Sequence, residues 1–182
     1  MRISSGMAKN KKIKSQNSRN VRPTMSRVKE AIFDIIKPYI EDAIFLDLYS
    51  GTGNMALEAL SRGVKRAVMI EKNAEAVSII IENVNSMGFT DKCRAYKNEV
   101  YRAIEILSRK REVFDIIFLD PPYKEAVCTK TIELIDSFKI LSERGIVLAE
   151  HHEKERMADE IGGLKKVDER NYSGKVVTFY TY

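Results

Sequence analysis

Only two cysteines, Cys93 and Cys128, occur among the 182 residues, and neither sits in a CxxC pair or near ligand-spaced histidines. That pattern offers no metal site and no disulfide framework, and it suggests a reducing compartment. Long hydrophobic runs are lacking as well. No apolar stretch approaches the ~20 residues of a membrane span, and no basic-then-apolar segment resembles a secretory signal. The expectation is a cytoplasmic protein with no membrane partner. Acidic residues are absent from positions 1–29, which carry nine Lys and Arg. The remaining 153 residues hold 22 basic and 26 acidic side chains, so an acidic globule carries one cationic end. Neutralisation of phosphates is the usual reason for such an asymmetry, which puts nucleic acid first among the partners. An organelle transit peptide is also basic and acid-poor, but Lys9-Asn10-Lys11-Lys12-Ile13-Lys14 offers no apolar helical face.

What is present reads as one α/β domain, residues 25–182, behind a basic arm, residues 1–24. Val28, Ala31, Ile32, Ile35 and Ile36 recur at helical spacing, with Thr24 or Ser26 as N-cap and Pro38 closing the run, so a helix is expected over about 25–37. Short apolar runs then alternate with longer amphipathic ones. Strands are expected at 44–49, 67–70, 93–97, 114–119 and 146–149, and helices at 54–61, 74–87, 100–110, 126–138 and 154–161. Such alternation implies a mostly parallel sheet with helices on both faces. Segments 164–169 and 175–182 flank Asn171-Tyr172-Ser173-Gly174, whose turn chemistry predicts a closing antiparallel hairpin.

Two loops carry the chemistry. Phe45-Leu46-Asp47-Leu48-Tyr49-Ser50-Gly51-Thr52-Gly53 runs from a buried strand into a glycine turn that opens a helix. A ligand can touch backbone there, and the helix N-terminus offers free N–H groups to a carboxylate. No Lys or Arg lies between 44 and 61 and no Gly-Lys-Ser/Thr follows, which argues against a triphosphate. S-adenosylmethionine, a net cation, suits an acidic pocket. Glu71 ends the next strand, 24 residues after Asp47, where a carboxylate accepts ribose hydroxyls, and Asn98-Glu99 ends the third, where the adenine edge would lie. Gly51-x-Gly53-x-x-Ala56 also satisfies the nicotinamide-dinucleotide fingerprint, so this loop alone leaves two ligands open.

The fourth strand separates them. Phe114-Asp115-Ile116-Ile117-Phe118-Leu119 delivers Asp120-Pro121-Pro122-Tyr123 to the carboxyl edge of the sheet, where open α/β folds bind ligands. A sulfonium methyl is already electrophilic, so the difficulty lies in the acceptor, an exocyclic amino nitrogen whose lone pair is delocalised into a base ring. Accepting its N–H bonds with the Asp120 carboxylate and a carbonyl, that of Pro121, aims the lone pair at the methyl. The prolines restrict the backbone beforehand, and Tyr123 offers a face on which an extruded base can lie. The tetrapeptide does not by itself choose guanine over adenine, or RNA over DNA.

With these residues laid out, the chain resembles the bacterial 16S ribosomal RNA guanine-N2 methyltransferases of the RsmD family over essentially its whole length. Beyond the two general motifs the resemblance rests on Met1-Arg2-Ile3 with Gly6, Arg22-Pro23-Thr24, Arg27-Val28-Lys29-Glu30-Ala31-Ile32-Phe33, Leu57-Glu58-Ala59-Leu60-Ser61-Arg62-Gly63 and Ala149-Glu150-His151. It implies a Rossmann-like class I S-adenosylmethionine-dependent methyltransferase with a seven-stranded sheet whose seventh strand is reversed. It implies a methyl donor held by Asp47, Gly51, Gly53, Glu71, Asn98 and Glu99, with catalysis at Asp120, Pro121, Pro122 and Tyr123; Tyr49, Ser50 and Lys72, beside them in the sequence, are further candidates for the donor site. An arm contacting 16S rRNA of the small ribosomal subunit or an assembly intermediate, through Arg2, Lys9, Lys11, Lys12, Arg22, Thr24 and Arg27, and a monomeric enzyme complete the expectation. The sequence departs from the family pattern at Asn10, Tyr49-Ser50, Glu99 and Ser173. An adenine-N6 DNA methyltransferase and a nonenzymatic RNA-binding assembly factor are the rival readings. His151 reads as a structural strand-end histidine beside the active site.

Overall fold

The computed structural model describes residues 1–15, 23–122, 126–172 and 174–182, and for 23–26 the backbone alone. Helix α1 spans Pro23–Ile35 and is followed by a 3-10 turn, Lys37–Tyr39. Then come β1 (Ile44–Leu48), α2 (Asn54–Arg62), β2 (Arg66–Glu71), α3 (Ala74–Met87), β3 (Cys93–Lys97), α4 (Val100–Arg109), β4 (Phe114–Leu119) and α5 (Val127–Ser137). The chain closes with β5 (Leu141–His152), β6 (Glu160–Ile161), β7 (Leu164–Tyr172) and β8 (Lys175–Thr181).

All eight strands form one sheet in the order β3-β2-β1-β4-β5-β8-β7-β6. Strands β1 to β5 are parallel, as right-handed crossovers through helices require. β8 runs antiparallel to both its neighbours and inserts between β5 and β7. The reversed strand expected at the end of the chain is therefore present. Among the described residues the sheet has eight strands rather than seven, because the two-residue β6 pairs with β7 through Ile161 and Leu164.

Two further expectations are corrected. Segment 154–161 is not helical: it turns after His152, runs irregularly and ends in β6. Met157 and Ile161 are buried at a helix-like spacing of four. Pairing with β7 and the hydrogen bond from Lys166 N–H to Asp159 C=O satisfy the backbone better than an isolated turn of helix. Helix α1 begins at Pro23, so Thr24 and Ser26 lie inside its first turn rather than at its N-cap. Proline is preorganised for that first helical position and has no N–H to leave unsatisfied.

The sheet separates two cores. Phe45, Met69, Phe118 and Leu148 pack with α1, α2 and α3 on one face, and Leu46, Ile70, Ile117 and Ala149 pack with α4 and α5 on the other. Residues 1–15 join the first core. Ile3, Ala8 and Ile13 are buried there, and Arg2 bridges to Lys12 in a short antiparallel contact. Polar side chains of α2 and α3 bind this segment as well. Glu58 accepts the N–H groups of Ser4 (2.9 Å) and Ser5 (3.1 Å), Ser61 Oγ accepts that of Ala8 (2.9 Å), and Asn83 Oδ1 accepts that of Lys14 (2.8 Å).

Candidate active site

Side chains two positions apart along a strand share a face. Glu71, Asp47, Asp120 and Glu150 each stand two residues beyond Met69, Phe45, Phe118 and Leu148, all members of the first core. The four carboxylates thus line the carboxyl edge of β2, β1, β4 and β5 in spatial order on the face covered by α1 and α2.

The glycine loop sits between the first two. Asp47 is buried, and one carboxylate oxygen accepts the N–H of Ala56 in the first turn of α2 (3.2 Å). Burial pushes its carboxyl up to about 8; the Ala56 N–H opposes this, and the negative charges of Asp120 and Glu71 add to it. A cationic ligand would relieve that penalty directly. Glu71 accepts the N–H groups of Gly51 (2.9 Å) and Asn73 (2.8 Å), bracing the turn, and each oxygen retains a lone pair for a ligand hydroxyl. Ser50 is buried and its hydroxyl donates to the carbonyl of Asp47 (2.7 Å). Tyr49 takes a left-handed conformation (φ 65°), and its hydroxyl lies 3.0 Å from Thr131 Oγ1 on α5. Gly51 (φ 55°) has open space where a Cβ would stand, while at Gly53 (φ 81°) a Cβ would press on Met69 Sδ at 3.0 Å.

Lys72 and Glu99 are exposed at the ends of β2 and before α4. Asn98 donates its N–H to Glu71 C=O (3.0 Å), and its side-chain oxygen accepts the N–H of Glu99 (2.9 Å), leaving its NH2 as the donor for a ring nitrogen. Beside it a cleft of about 260 Å³ opens between β2, β3 and α4, walled by Ile70, Tyr96, Ala103 and Leu107.

Asp120 follows β4 directly, with Pro121 buried and Pro122 exposed. Burial and then the charge of Glu150 push the Asp120 carboxyl up to about 7, while Lys175 draws it down. Lys175 forms an ion pair with Glu150, which is itself buried. These two residues act on Asp120 electrostatically and were not assigned to the candidate site from the sequence. The signal was there in part, since Glu150 lies in a family-like segment, but nothing local tied Lys175 on β8 to β5. His151 projects to the opposite face, where Nε2 lies 2.8 Å from Thr178 Oγ1.

The cationic residues of the first segment are exposed, apart from the groups that hold it. Arg2 Nη1 donates to Asn10 C=O (2.6 Å) and Lys11 Nζ to Met87 C=O (3.4 Å). Lys9 and Lys12 form no ion pair among the described residues, and Arg27 is exposed on α1. The side chain of Thr24, and Arg22 and Tyr123 as a whole, lie outside the described residues.

A parallel sheet with one reversed strand, helices on both faces, a glycine loop after β1 and an acidic edge define the Rossmann-like class I methyltransferase fold. Residues 1–181 match the family described as Conserved hypothetical protein 95, and the chain belongs to it, the RsmD family. YlbH of Bacillus subtilis (strain 168) is 33% identical over 180 residues, covering 99% of this chain and 98% of that protein. Ribosomal RNA small subunit methyltransferase D of Escherichia coli (strain K12) is 30% identical over 150 residues, 82% of this chain and 74% of that one. Among solved structures, yhhF from Escherichia coli superposes with a TM-score of 0.86 at 26% identity over 99% of this chain and 96% of its own. A conserved hypothetical protein of Streptococcus pyogenes gives 0.77 at 37% identity, covering 84% and 93%.

Proposed function

We propose that this protein transfers the methyl group of S-adenosylmethionine to the exocyclic N2 of a guanine in 16S rRNA of the small ribosomal subunit. The observation that carries the reading is the closeness of Asp120, just beyond β4, to Asp47 on the neighbouring β1, next to the glycine loop, in a chain whose 30% identical relative is named a small-subunit rRNA methyltransferase. The donor set fits the cofactor: two buried or half-buried carboxylates, Asp47 and Glu71, flank a glycine turn at a helix N-terminus, as a ligand with one carboxylate and two positive charges needs. When bound, S-adenosylmethionine supplies an electrophilic methyl on a sulfur that leaves as a neutral thioether.

The chain's own groups do the rest. Glu71 holds ribose hydroxyls and Asn98 the adenine edge. Asp120 and the Pro121 carbonyl accept the two amino N–H bonds, which points the nitrogen lone pair at the methyl. As the nitrogen gains its bond to carbon it gives up one proton, and the Asp120 carboxylate is the group in place to take it. Residues 1–24 meet the RNA backbone and residues 25–182 carry out the chemistry.

Tritium from labelled S-adenosylmethionine is expected in N2-methylguanosine when small subunits or assembly intermediates lacking the modification are the acceptor, and the transfer is lost in Asp120→Ala. Label that appears only in DNA, as N6-methyladenine, rejects the reading. Absence of turnover with retained RNA binding favours a nonenzymatic assembly factor.

A further inference from the structure

The Asp-Pro-Pro-Tyr loop holds an amino group but does not tell guanine from adenine, whereas the residues beside it do carry such a distinction. Leu119 and Ala149 are the last register partners of β4 and β5, so Asp120 and Glu150 stand next to one another one step further on. On the far side of β5, Val177 pairs with Glu150 and Lys175 with His152. Lys175 shares a face with Val177, a first-core residue, and its ammonium reaches back to Glu150 Oε1. Asp120, Glu150 and Lys175 therefore follow one another across β4, β5 and β8 on a single face. Glu150 Oε2 has no donor among the described residues.

We propose, resting on the guanine reading above, that Glu150 and Lys175 are the residues that select guanine. The Watson–Crick edge of guanine presents N2–H2, N1–H and O6 in sequence, two donors and then an acceptor. Asp120 takes the amino group, Glu150 Oε2 accepts N1–H, and the Lys175 ammonium donates to O6. Acceptor, acceptor and donor in the protein match donor, donor and acceptor in the base. Adenine held by its amino group would turn the lone pair of N1 toward the Glu150 carboxylate and C2–H toward the Lys175 ammonium. Glu150 Oε2 would then face a lone pair, and the Lys175 ammonium a C–H in place of an acceptor, which is the kind of mismatch that rejects an analogue strongly. The Glu150–Lys175 pair also keeps the two charges compensated before the base arrives.

The test uses small subunits reassembled around 16S rRNA carrying either guanine or 2-aminopurine at the methylated position. 2-Aminopurine keeps the reactive amino group but has an acceptor at N1 and no O6. The wild-type enzyme is expected to prefer guanine by on the order of a hundredfold or more in kcat/KM. In Glu150→Gln the amide can donate to N1 of 2-aminopurine, so the preference is expected to fall by roughly tenfold or more, through slower guanine and relatively faster 2-aminopurine transfer. Lys175→Met, compared with the wild type at a pH above the acid limb of both, is expected to lower guanine transfer by more than 2-aminopurine transfer, so that the preference narrows. Calorimetric affinity for S-adenosylhomocysteine, retained in both variants, reports an intact pocket. A guanine preference unchanged in both variants, however far the rates fall, overturns the proposal and leaves the pair a structural role. Transfer by the wild type to adenine N6 instead of guanine overturns the guanine reading itself, a result distinct from either variant outcome.

Discussion

Lys29 on α1 and Glu58 on α2 form an ion pair of 2.6 Å with both side chains withdrawn from solvent, at 2% and 0% exposure. Burial works against the Glu58 charge, yet hydrogen bonds from Lys29 and from Ser4 outweigh it, and its carboxyl lies below the usual range. Lys29 also donates to Arg2 C=O (3.0 Å) and Asn54 Oδ1 (3.1 Å), and Arg62 closes on Glu58 from the next turn (2.9 Å). Removing one member of a buried, hydrogen-bonded pair leaves the other uncompensated. Glu58→Ala is expected to cost about 3–5 kcal/mol in urea unfolding, with loss of amide protection at Ser4 and Ser5. A change within ~1 kcal/mol, the worth of a surface pair, would contradict this account.

The sequence showed these residues without showing their meeting. Lys29 and Glu58 both fall in segments that mark the family, but a single charge in an amphipathic helix usually reads as part of its solvated face. Pairing across 29 positions leaves no periodic trace. Strands β1, β2 and β4 were legible because a parallel strand buried on both faces is a nearly continuous apolar run, as in Phe114–Leu119. Segment 154–161 was misread because Met157 and Ile161 mimic a helical period, while the pairing that decides its structure comes from β7. The turn that opens α2 was legible through Gly51 and Gly53. The Glu150–Lys175 pair was not, because it forms only where β8 inserts beside β5.

Gly6 takes φ +80°, and a Cβ there would stand 1.8 Å from the Ser61 carbonyl oxygen. Backbone cannot yield as a side chain can. Gly6→Ala is expected to lift the segment from α2, destabilising the fold by roughly 1–3 kcal/mol and exposing the Met7 amide, now bonded to Ser61 C=O (2.8 Å), to hydrogen exchange.

Asp47, pushed up to about 8 by burial, costs the fold stability as it ionises. Its folded value exceeds its unfolded one, so its contribution is complete below about pH 4, the unfolded value, and is lost as pH rises through about 8. Asp47→Asn is expected to be the more stable protein at pH 8 without cofactor, by differential scanning calorimetry. It is expected to bind S-adenosylmethionine roughly tenfold or more weakly. Parallel losses of stability and affinity would contradict this.

Asp120 must be ionised to accept an amino N–H, so kcat/KM is expected to fall as pH drops through about 7. Glu150→Gln removes a negative neighbour and is expected to move that acid limb to lower pH. Lys175→Met removes a positive one and is expected to move it higher. Shifts of the same sign in both variants would refute the electrostatic origin of the limb.

Lys9 and Lys12 are exposed and form no ion pair among the described residues. If each meets a phosphate, Lys9→Ala and Lys12→Ala are each expected to reduce the slope of log K against log salt by about 0.7 for RNA binding, with S-adenosylhomocysteine affinity unchanged. An unaltered slope places the RNA elsewhere.

Asn83 on α3 holds two segments with one carboxamide: its NH2 donates to Lys14 C=O (3.0 Å) in the basic segment and to Thr52 C=O (3.1 Å) in the glycine loop. The basic segment and the glycine loop are thus mechanically joined through a single side chain. If RNA binds the first and the cofactor the second, thermodynamic reciprocity requires that whatever factor RNA imposes on cofactor affinity, the cofactor imposes on RNA affinity, and Asn83 would be a physical route for it.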